Sequence, residues 1–176
     1  MSSVSVNTSS HSGARLNRPC SVLFVCLGNI CRSPTAHGVF EYKLKQQGLE
    51  SQVTVDSAGT SDFHIGGPPD QRSTLAAKKR GYDLSQLRAR QACYEDFNRF
   101  DYILAMDESN LHDLKDIAPD NSRATLRLFL DFSEGEALRE VPDPYYGGAG
   151  GFDRVLDLIE RASEGLLKEI RQKYGS

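Results

Sequence analysis

The sequence lacks any long apolar run and any tract rich in lysine or arginine. A membrane-spanning helix needs roughly 18 or more consecutive apolar residues, and no segment approaches that length. The formal net charge is -3 and no basic face stands out, which argues against general nucleic-acid binding. The N-terminus also lacks the charged and apolar regions of a signal peptide. We therefore expect a cytoplasmic protein whose partners include neither a membrane nor a nucleic acid.

Cysteine and histidine are few, and their spacing predicts no zinc site. The chain has four of each, with no CxxC pair and no Cys/His cluster at the spacing of zinc ligands. A domain of this size needs no disulfide to fold, and without a secretion signal we expect free thiols. We expect no metal and no other cofactor.

The composition is that of one ordinary domain with a short extension. The chain has 176 residues, of which 39% are apolar and 26% charged, enough for one well-filled core. Residues 1–18 are rich in serine and asparagine and have few large apolar groups, so they cannot offset the entropy of ordering. We expect a disordered extension over 1–18 and a single domain over 19–176.

Short apolar strands alternate with helical patterns along this domain. Strands are predicted at Ser21–Val25, Gln52–Asp56, Asp101–Ala105 and Thr125–Phe129, with helices through Phe40 and Leu44 to Gly48, at Gln71–Gly81 and at Ser109–Ile117. A last helix carries apolar residues at helical spacing from Phe152 to Ile170. Strand, helix and strand in series predict an α/β fold with a parallel sheet.

The most informative segment runs from Val25 to Pro34 and reads VCLGNICRSP. It places Cys26, five further residues and Arg32 on the turn between a strand and a helix. Ser33 is a favoured N-cap residue and Pro34 suits the first helical position, so we expect the helix to begin there. Inward amides, a helix N-terminus and an arginine fork together form an anion site. Ligands also bind beyond the carboxyl ends of strands in such sheets.

The residue types in this turn suit phosphoryl transfer. An attacking sulfur must be a thiolate, and the helix N-terminus and Arg32 both favour the anionic form of Cys26. The planar fork of arginine donates parallel hydrogen bonds to phosphoryl oxygens and keeps its charge. Gly28 lets the backbone approach a ligand, and Asn29 tolerates a left-handed conformation.

A second candidate group lies much further along the chain. Asp143 stands between Pro142 and Pro144, which stiffen its backbone, and is followed by Tyr145, Tyr146 and a glycine-rich stretch. A phenol, with a pKa of about 10, leaves poorly as a phenolate, so hydrolysis of an aryl phosphate needs a proton donor. Asp143 is the candidate for that donor.

These segments resemble the low-molecular-weight protein tyrosine phosphatase family. The likeness runs from Cys20 to the C-terminus and includes, besides the turn, DSAGT at 56–60, PDQR at 69–72, FDYILAMDESN at 100–110 and DPYY at 143–146. It implies a flavodoxin-like three-layer α/β sandwich, with a four-stranded parallel sheet flanked by helices. It also implies phosphotyrosine-containing proteins as substrates, inorganic phosphate as product, and a two-step reaction without a metal.

The resemblance implies roles for the reacting groups and for the loop that holds them. Cys26 takes the phosphoryl group, Arg32 binds it, and Asp143 protonates the phenol and then activates water. The phosphate-binding residues are Leu27, Gly28, Asn29, Ile30, Cys31, Arg32 and Ser33. Ser33 would hydrogen-bond the thiolate, and Asn29 would support the loop through a side-chain network that includes Ser57.

The substrate cleft and the second loop cysteine also take roles from the resemblance. Phe63 would form one wall of the cleft, with Tyr145 and Tyr146 opposite, gripping an aromatic ring. Cys31 would pair reversibly with Cys26 under oxidation. Two features depart from the family. Ser85–Gln91 lacks the histidine that members commonly carry before Ala-Arg-Gln, and many members have Trp or Tyr in place of Phe63. We therefore expect differences in loop support and substrate preference.

Two other functions fit the cysteine-arginine turn. Arsenate reductases of this fold have a similar loop but relay oxidation through two further cysteines downstream, where this chain has only Cys93. The other alternative is a phosphotyrosine-binding module that has lost catalysis. The presence of Cys26, Arg32 and Asp143 counts against it.

Overall fold

The computed structural model describes residues 15–144, 148 and 150–175. Its four parallel strands lie in the order β2-β1-β3-β4, with β1 at Cys20–Cys26, β2 at Val53–Gly59, β3 at Tyr102–Ala105 and β4 at Thr125–Leu128. The helices are α1 (Arg32–Gln46), α2 (Gln71–Lys79), α3 (Asp96–Arg99), α4 (Glu108–Ile117) and α5 (Gly151–Tyr174). This confirms the predicted flavodoxin-like α/β fold. No helix within the described ranges is long and apolar enough to cross a membrane.

The central strand β1 is covered on both faces, as parallel strands usually are. Successive side chains of a strand point to opposite faces. Val22 and Phe24 therefore join the core formed with α1 and α5, while Leu23 and Val25 join a second core that includes residues of α3 and α4. Packing on both faces holds β1 in place, and Cys26 at the end of the strand is therefore firmly positioned.

The carboxyl ends of three strands meet where the candidate loop begins. Cys26 pairs with Gly59 at the end of β2, and Val25 pairs with Ala105 at the end of β3. The chain moves from β1 to one side for β2 and to the other side for β3. This is the switch point at which open parallel sheets bind ligands.

Some element boundaries differ from the predicted ones. β2 continues to Gly59, beyond the predicted end at Asp56. Two short elements, α3 and a 3-10 turn at Phe129–Phe132, were not predicted. Each is four residues long, which is too short for hydrophobic periodicity to indicate it.

Residues 16–18, which the sequence assigns to the extension, contact the C-terminal end of the chain. Leu16 forms an antiparallel bridge with Gly175, and the Asn17 N–H donates to the Tyr174 carbonyl at 2.6 Å. The Arg18 guanidinium lies 3.9 Å from the centre of the Tyr174 ring. Local composition missed these contacts because they are made with the far end of the chain. Residues 1–14 of the predicted extension lie outside the described residues.

Candidate active site

The Cys26 sulfur lies at the end of β1 with hydrogen-bond donors around it. The N–H of Asn29 donates to Sγ at 3.3 Å, the N–H of Ser33 lies at 3.5 Å, and the Ser33 hydroxyl lies at 3.0 Å. The side chain of Cys26 is buried. Donors directed at a sulfur atom favour its anionic form, because a thiolate is the stronger acceptor. The predicted contact between Ser33 and Cys26 is present.

The backbone carbonyls of the loop are bonded away from the sulfur. Thr60 N–H donates to the Cys26 carbonyl at 2.9 Å, and Ser61 N–H donates to the Leu27 carbonyl at 3.0 Å. Asp70 N–H likewise donates to the Ile30 carbonyl at 2.7 Å. With these carbonyls held outside, the loop amides can converge on its centre, which is the arrangement of an anion-binding nest.

Asn29 adopts the left-handed conformation that its residue type predicts, with φ of 56°. Its amide side chain is buried, with Nδ2 donating to Ser33 Oγ at 2.7 Å and Oδ1 accepting from Arg90 N–H at 3.1 Å. The curled loop is therefore held by a side chain of its own sequence.

The predicted helix start at Ser33 and Pro34 is wrong by a short margin. α1 begins at Arg32, and no side chain caps it. The Ser33 hydroxyl is hydrogen-bonded to Cys26, Asn29 and the Ala58 carbonyl. These contacts use the hydroxyl group that would otherwise cap the helix N-terminus. Pro34 remains in the first turn, where its missing N–H is tolerated.

Ser57, which was predicted to join the side-chain network of Asn29, lies beside His37 of α1. Its hydroxyl lies 3.0 Å from His37 Nδ1, and His37 Nε2 lies 3.4 Å from a Glu41 carboxylate oxygen. The hydrogen bond with His37 lowers the pKa of Glu41. His37 follows Ser33 by one helical turn, so both side chains lie on the face of α1 that meets β2. His37 therefore links α1 to β2.

Arg32 is a buried cation with two fixed partners. Its Nη1 donates to Asp107 Oδ2 at 2.7 Å and to the Val141 carbonyl at 3.0 Å. Burial by itself would lower the pKa of this guanidinium, but Cys26 and Asp107 outweigh it and raise the pKa. Among the residues that the structure describes, both bonds to this side chain use Nη1, so its Nε and Nη2 edge can face an anion.

One cavity of about 300 Å³ brings the candidate groups together. It is lined by Cys26, Leu27, Gly28, Ile30, Cys31, Arg32, Phe63, His64, Asp70 and Asp143. Phe63 is exposed at 73%, so its ring is available at the rim. A Cβ on Gly28 would lie 3.0 Å from Cδ2 of the exposed His64 side chain, so Gly28 and His64 are close neighbours at this cavity. The predicted cleft residues Tyr145 and Tyr146 lie outside the described residues.

The other cysteine of the loop has the character of a protonated thiol. Cys31 is buried, and burial raises its pKa to about 12. Cys93, the only cysteine downstream of the loop, does not line this cavity. Burial, Glu95 and Asp96 raise the pKa of its thiol. Both of these thiols are therefore poorly suited to react as thiolates.

Sequence reasoning missed Asp107 and Gly59, and both contact the site. Asp107 follows β3, the strand next to β1, so its place at the carboxyl edge of the sheet was the available signal. Gly59 ends β2, where a Cβ would lie 2.7 Å from the Leu27 carbonyl oxygen and 3.1 Å from the Asn29 nitrogen. No spacing in the sequence indicates such a close approach.

The chain is similar to known proteins over most of its length. The family model described as "Low molecular weight phosphotyrosine protein phosphatase" matches residues 21–175. A protein of that name from Schizosaccharomyces pombe is 45% identical over 151 residues, covering 85% of this chain and 96% of the relative.

Solved structures show the same similarity. A protein tyrosine phosphatase from Entamoeba histolytica matches with a TM-score of 0.84 and 40% identity, over 88% of this chain and 98% of that one. The Drosophila arginine phosphatase DARP matches with a TM-score of 0.80 and 30% identity, over 85% of this chain and 97% of that one.

Replacing Gly59 by alanine should weaken anion binding. The new methyl group has to push the loop backbone at Leu27 and Asn29, and displacement of a binding loop by about 1 Å can cost about 100-fold in function. We expect the dissociation constant for inorganic phosphate, measured by calorimetric titration, to rise at least about tenfold. Gly150→Ala is the matched control, because a Cβ there meets nothing within 4 Å. Folded Gly59→Ala with unchanged phosphate affinity would contradict the packing argument.

Proposed function

The chain belongs to the low molecular weight phosphotyrosine protein phosphatase family, and we propose that it hydrolyses protein phosphotyrosine through a phosphorylated Cys26. The observation that carries this proposal is the meeting of Cys26, Arg32 and Asp143 at one cavity. A nucleophile, a fixed cation and a proton donor are the three groups that cleavage of an aryl phosphate requires.

Binding uses the loop and Arg32. The loop amides and the helix N-terminus stabilise a phosphoryl dianion, and the free edge of the Arg32 fork donates to two of its oxygens. Asp107 holds the guanidinium through Nη1, so the fork is oriented before the ligand arrives. Preorganised donors of this kind act most strongly where charge develops in the transition state.

In the first step the Cys26 thiolate attacks phosphorus. The S–P bond forms while the bond from phosphorus to the tyrosine oxygen breaks, and Asp143, as the carboxylic acid, transfers its proton to that oxygen. Tyrosine leaves as a neutral phenol, and Asp143 is left as a carboxylate. Protonation matters because a phenolate is a poor leaving group.

In the second step a water molecule attacks the phosphorus atom that is bonded to the Cys26 sulfur. The Asp143 carboxylate takes a proton from the water, the O–P bond forms, and the S–P bond breaks. Inorganic phosphate leaves, and the Cys26 thiolate returns to its ring of donors. The Ser33 hydroxyl, 3.0 Å from Sγ, stabilises the thiolate as the leaving group of this step.

Depth and the aromatic rim favour phosphotyrosine over phosphoserine. The sulfur is buried while Phe63 is exposed at the rim, so a phosphate must be carried inward on a long, flat side chain. Aromatic rings pack favourably against one another, which adds to this selection. Because a similar structure is that of an arginine phosphatase, phosphoarginine is the informative second substrate to compare.

The arsenate reductase alternative finds no support in the thiols. A relay needs two further cysteines downstream of the loop, and Cys93, the only one that the sequence has there, does not line the cavity.

Steady-state rates on three phosphopeptides test the proposed substrate class. We expect kcat/KM for a phosphotyrosine peptide to exceed that for phosphoserine and phosphoarginine versions of the same peptide by about 100-fold or more, because a site shaped for one group rejects another strongly. Cys26→Ser should lose turnover but keep measurable phosphate binding. Preference for phosphoarginine or phosphoserine, or substantial turnover by Cys26→Ser, would overturn the proposal.

The role of Asp143 is tested by varying the leaving group. Asp143→Asn should lower kcat/KM for phenyl phosphate by about 100-fold, the usual size of general acid catalysis, and affect aryl phosphates with acidic phenols much less. Asp116→Asn, on the exposed side of α4, is a control for loss of one carboxylate. Equal losses across all leaving groups would show that Asp143 does not donate the proton.

We also propose that Cys31 protects Cys26 from over-oxidation. Both thiols line the cavity, and both are free in the structure. Peroxide would convert Cys26 to a sulfenic acid, which Cys31 would attack to form a disulfide with release of water. This chemistry needs a compartment that keeps thiols reduced, in line with the expected cytoplasmic location.

The Cys31→Ser variant tests this protection. Wild-type enzyme treated with peroxide should recover its activity with a thiol reductant, whereas Cys31→Ser should lose activity irreversibly as Cys26 becomes a sulfinic acid. Cys93→Ser should behave like the wild type. If mass spectrometry of the treated wild type finds sulfinic Cys26 and no disulfide between the two loop cysteines, Cys31 has no protective role.

A further inference from the structure

The support of Asn29 comes from a segment that lies outside the cavity. The Asn29 side chain must be satisfied at both ends because it is buried, and its Oδ1 accepts from the backbone N–H of Arg90 at 3.1 Å. Arg90 is 61 residues away in sequence. The conformation of the phosphate loop therefore depends on where the backbone at Arg90 is held.

Backbone bonds attach Arg90 to the end of β2. Gly59 N–H donates to the Arg90 carbonyl at 2.8 Å, and Ala92 N–H donates to the Gly59 carbonyl at 2.7 Å. Gly59 is also the residue that packs directly beneath the loop. These two bonds fix the distance of Arg90 from the loop but are made by a short isolated bridge, which is weak on its own.

The Arg90 side chain adds a charged clamp to this bridge. Its Nη1 and Nη2 donate to the two carboxylate oxygens of Asp96, each at 3.1 Å, and its Nε donates to Asp56 Oδ2 at 3.1 Å. The Asp96 side chain is almost completely buried, at 1% exposure. A buried carboxylate requires such a partner, so the pair holds Arg90 strongly between β2 and α3.

We propose that Arg90 is a positioning residue for catalysis, whose guanidinium clamp on Asp56 and Asp96 keeps its own amide N–H on Asn29 and so keeps the phosphate loop curled. Arg90 itself does not line the cavity. It acts through Asn29 on the donors around the Cys26 sulfur. This inference rests on the proposed function, in which Cys26 is the nucleophile.

The test removes the clamp and follows the reactivity of Cys26 directly. Arg90→Met alone leaves the buried Asp96 carboxylate with weaker partners, the Cys93 N–H at 2.9 Å and the Arg99 guanidinium at 4.0 Å. The double variant Arg90→Met with Asp96→Asn removes both charges and so avoids a poorly compensated buried carboxylate. The measurements are the pH dependence of iodoacetamide alkylation at Cys26, kcat and KM for an aryl phosphate, and far-UV circular dichroism. Arg80→Met is the matched control, because Arg80 also binds several carboxylates, Asp157 and Glu160 among them, but on α5.

We expect the folded double variant to need a higher pH for half-maximal alkylation and to lose kcat by about 10- to 100-fold, as displaced catalytic groups do. KM should change less than kcat, and Arg90→Lys should recover part of kcat by restoring the charge. Arg80→Met should match the wild type in both measurements. A folded double variant with wild-type alkylation and kcat would overturn the inference. Wild-type protein that alkylates normally but cleaves no aryl phosphate would instead overturn the proposed function.

Discussion

The site depends on one backbone conformation, the left-handed turn at Asn29. With φ at 56° the chain doubles back, so loop carbonyls bond outward while amides stay near the Cys26 sulfur. Most L residues avoid this region, whereas asparagine enters it at lower cost. Here the amide side chain is buried and bonded at both ends, so the conformation is fixed. The proposed anion site is therefore formed before a ligand arrives, so phosphate binding would require little reorganisation of the loop.

In the proposed function the attraction for a phosphate must be local, because the protein as a whole is acidic. The formal net charge is -3, and a long-range field of that sign repels anions. The positive charge that would attract the phosphate is the buried guanidinium of Arg32, beside the positive end of α1. A lone buried cation would be costly, and Asp107 offsets that cost from the end of β3. The parallel sheet thus helps to stabilise this buried charge, because it places the end of β1, which leads to Arg32, next to the end of β3, which leads to Asp107.

Local signals predicted most of the fold and the centre of the site, and contacts distant in sequence explain what they missed. The strand, turn and helix around Cys26 carry their own residue preferences, including the left-handed asparagine. The partners of that loop do not, because the contacts of Arg90 and Asp107 with it form only once strands and helices pack. Ser33 shows the conflict directly. Its residue type favours a helix N-cap, but in the structure its hydroxyl is hydrogen-bonded to the Cys26 thiol and the Asn29 side-chain amide.

The hydrogen bond from Arg32 to the Val141 carbonyl connects the residue that is proposed to bind phosphate with the segment that carries the proposed proton donor. Val141 N–H in turn donates to the Met106 carbonyl at 2.8 Å, so this segment is anchored at the end of β3. Asp143 follows only two residues later, and Pro142 between them restricts the intervening backbone. The residue that would bind phosphate therefore also fixes the point from which the proton donor extends. A proton donor anchored in this way would stay at a fixed distance from the phosphoryl group, and general acid catalysis requires that constancy.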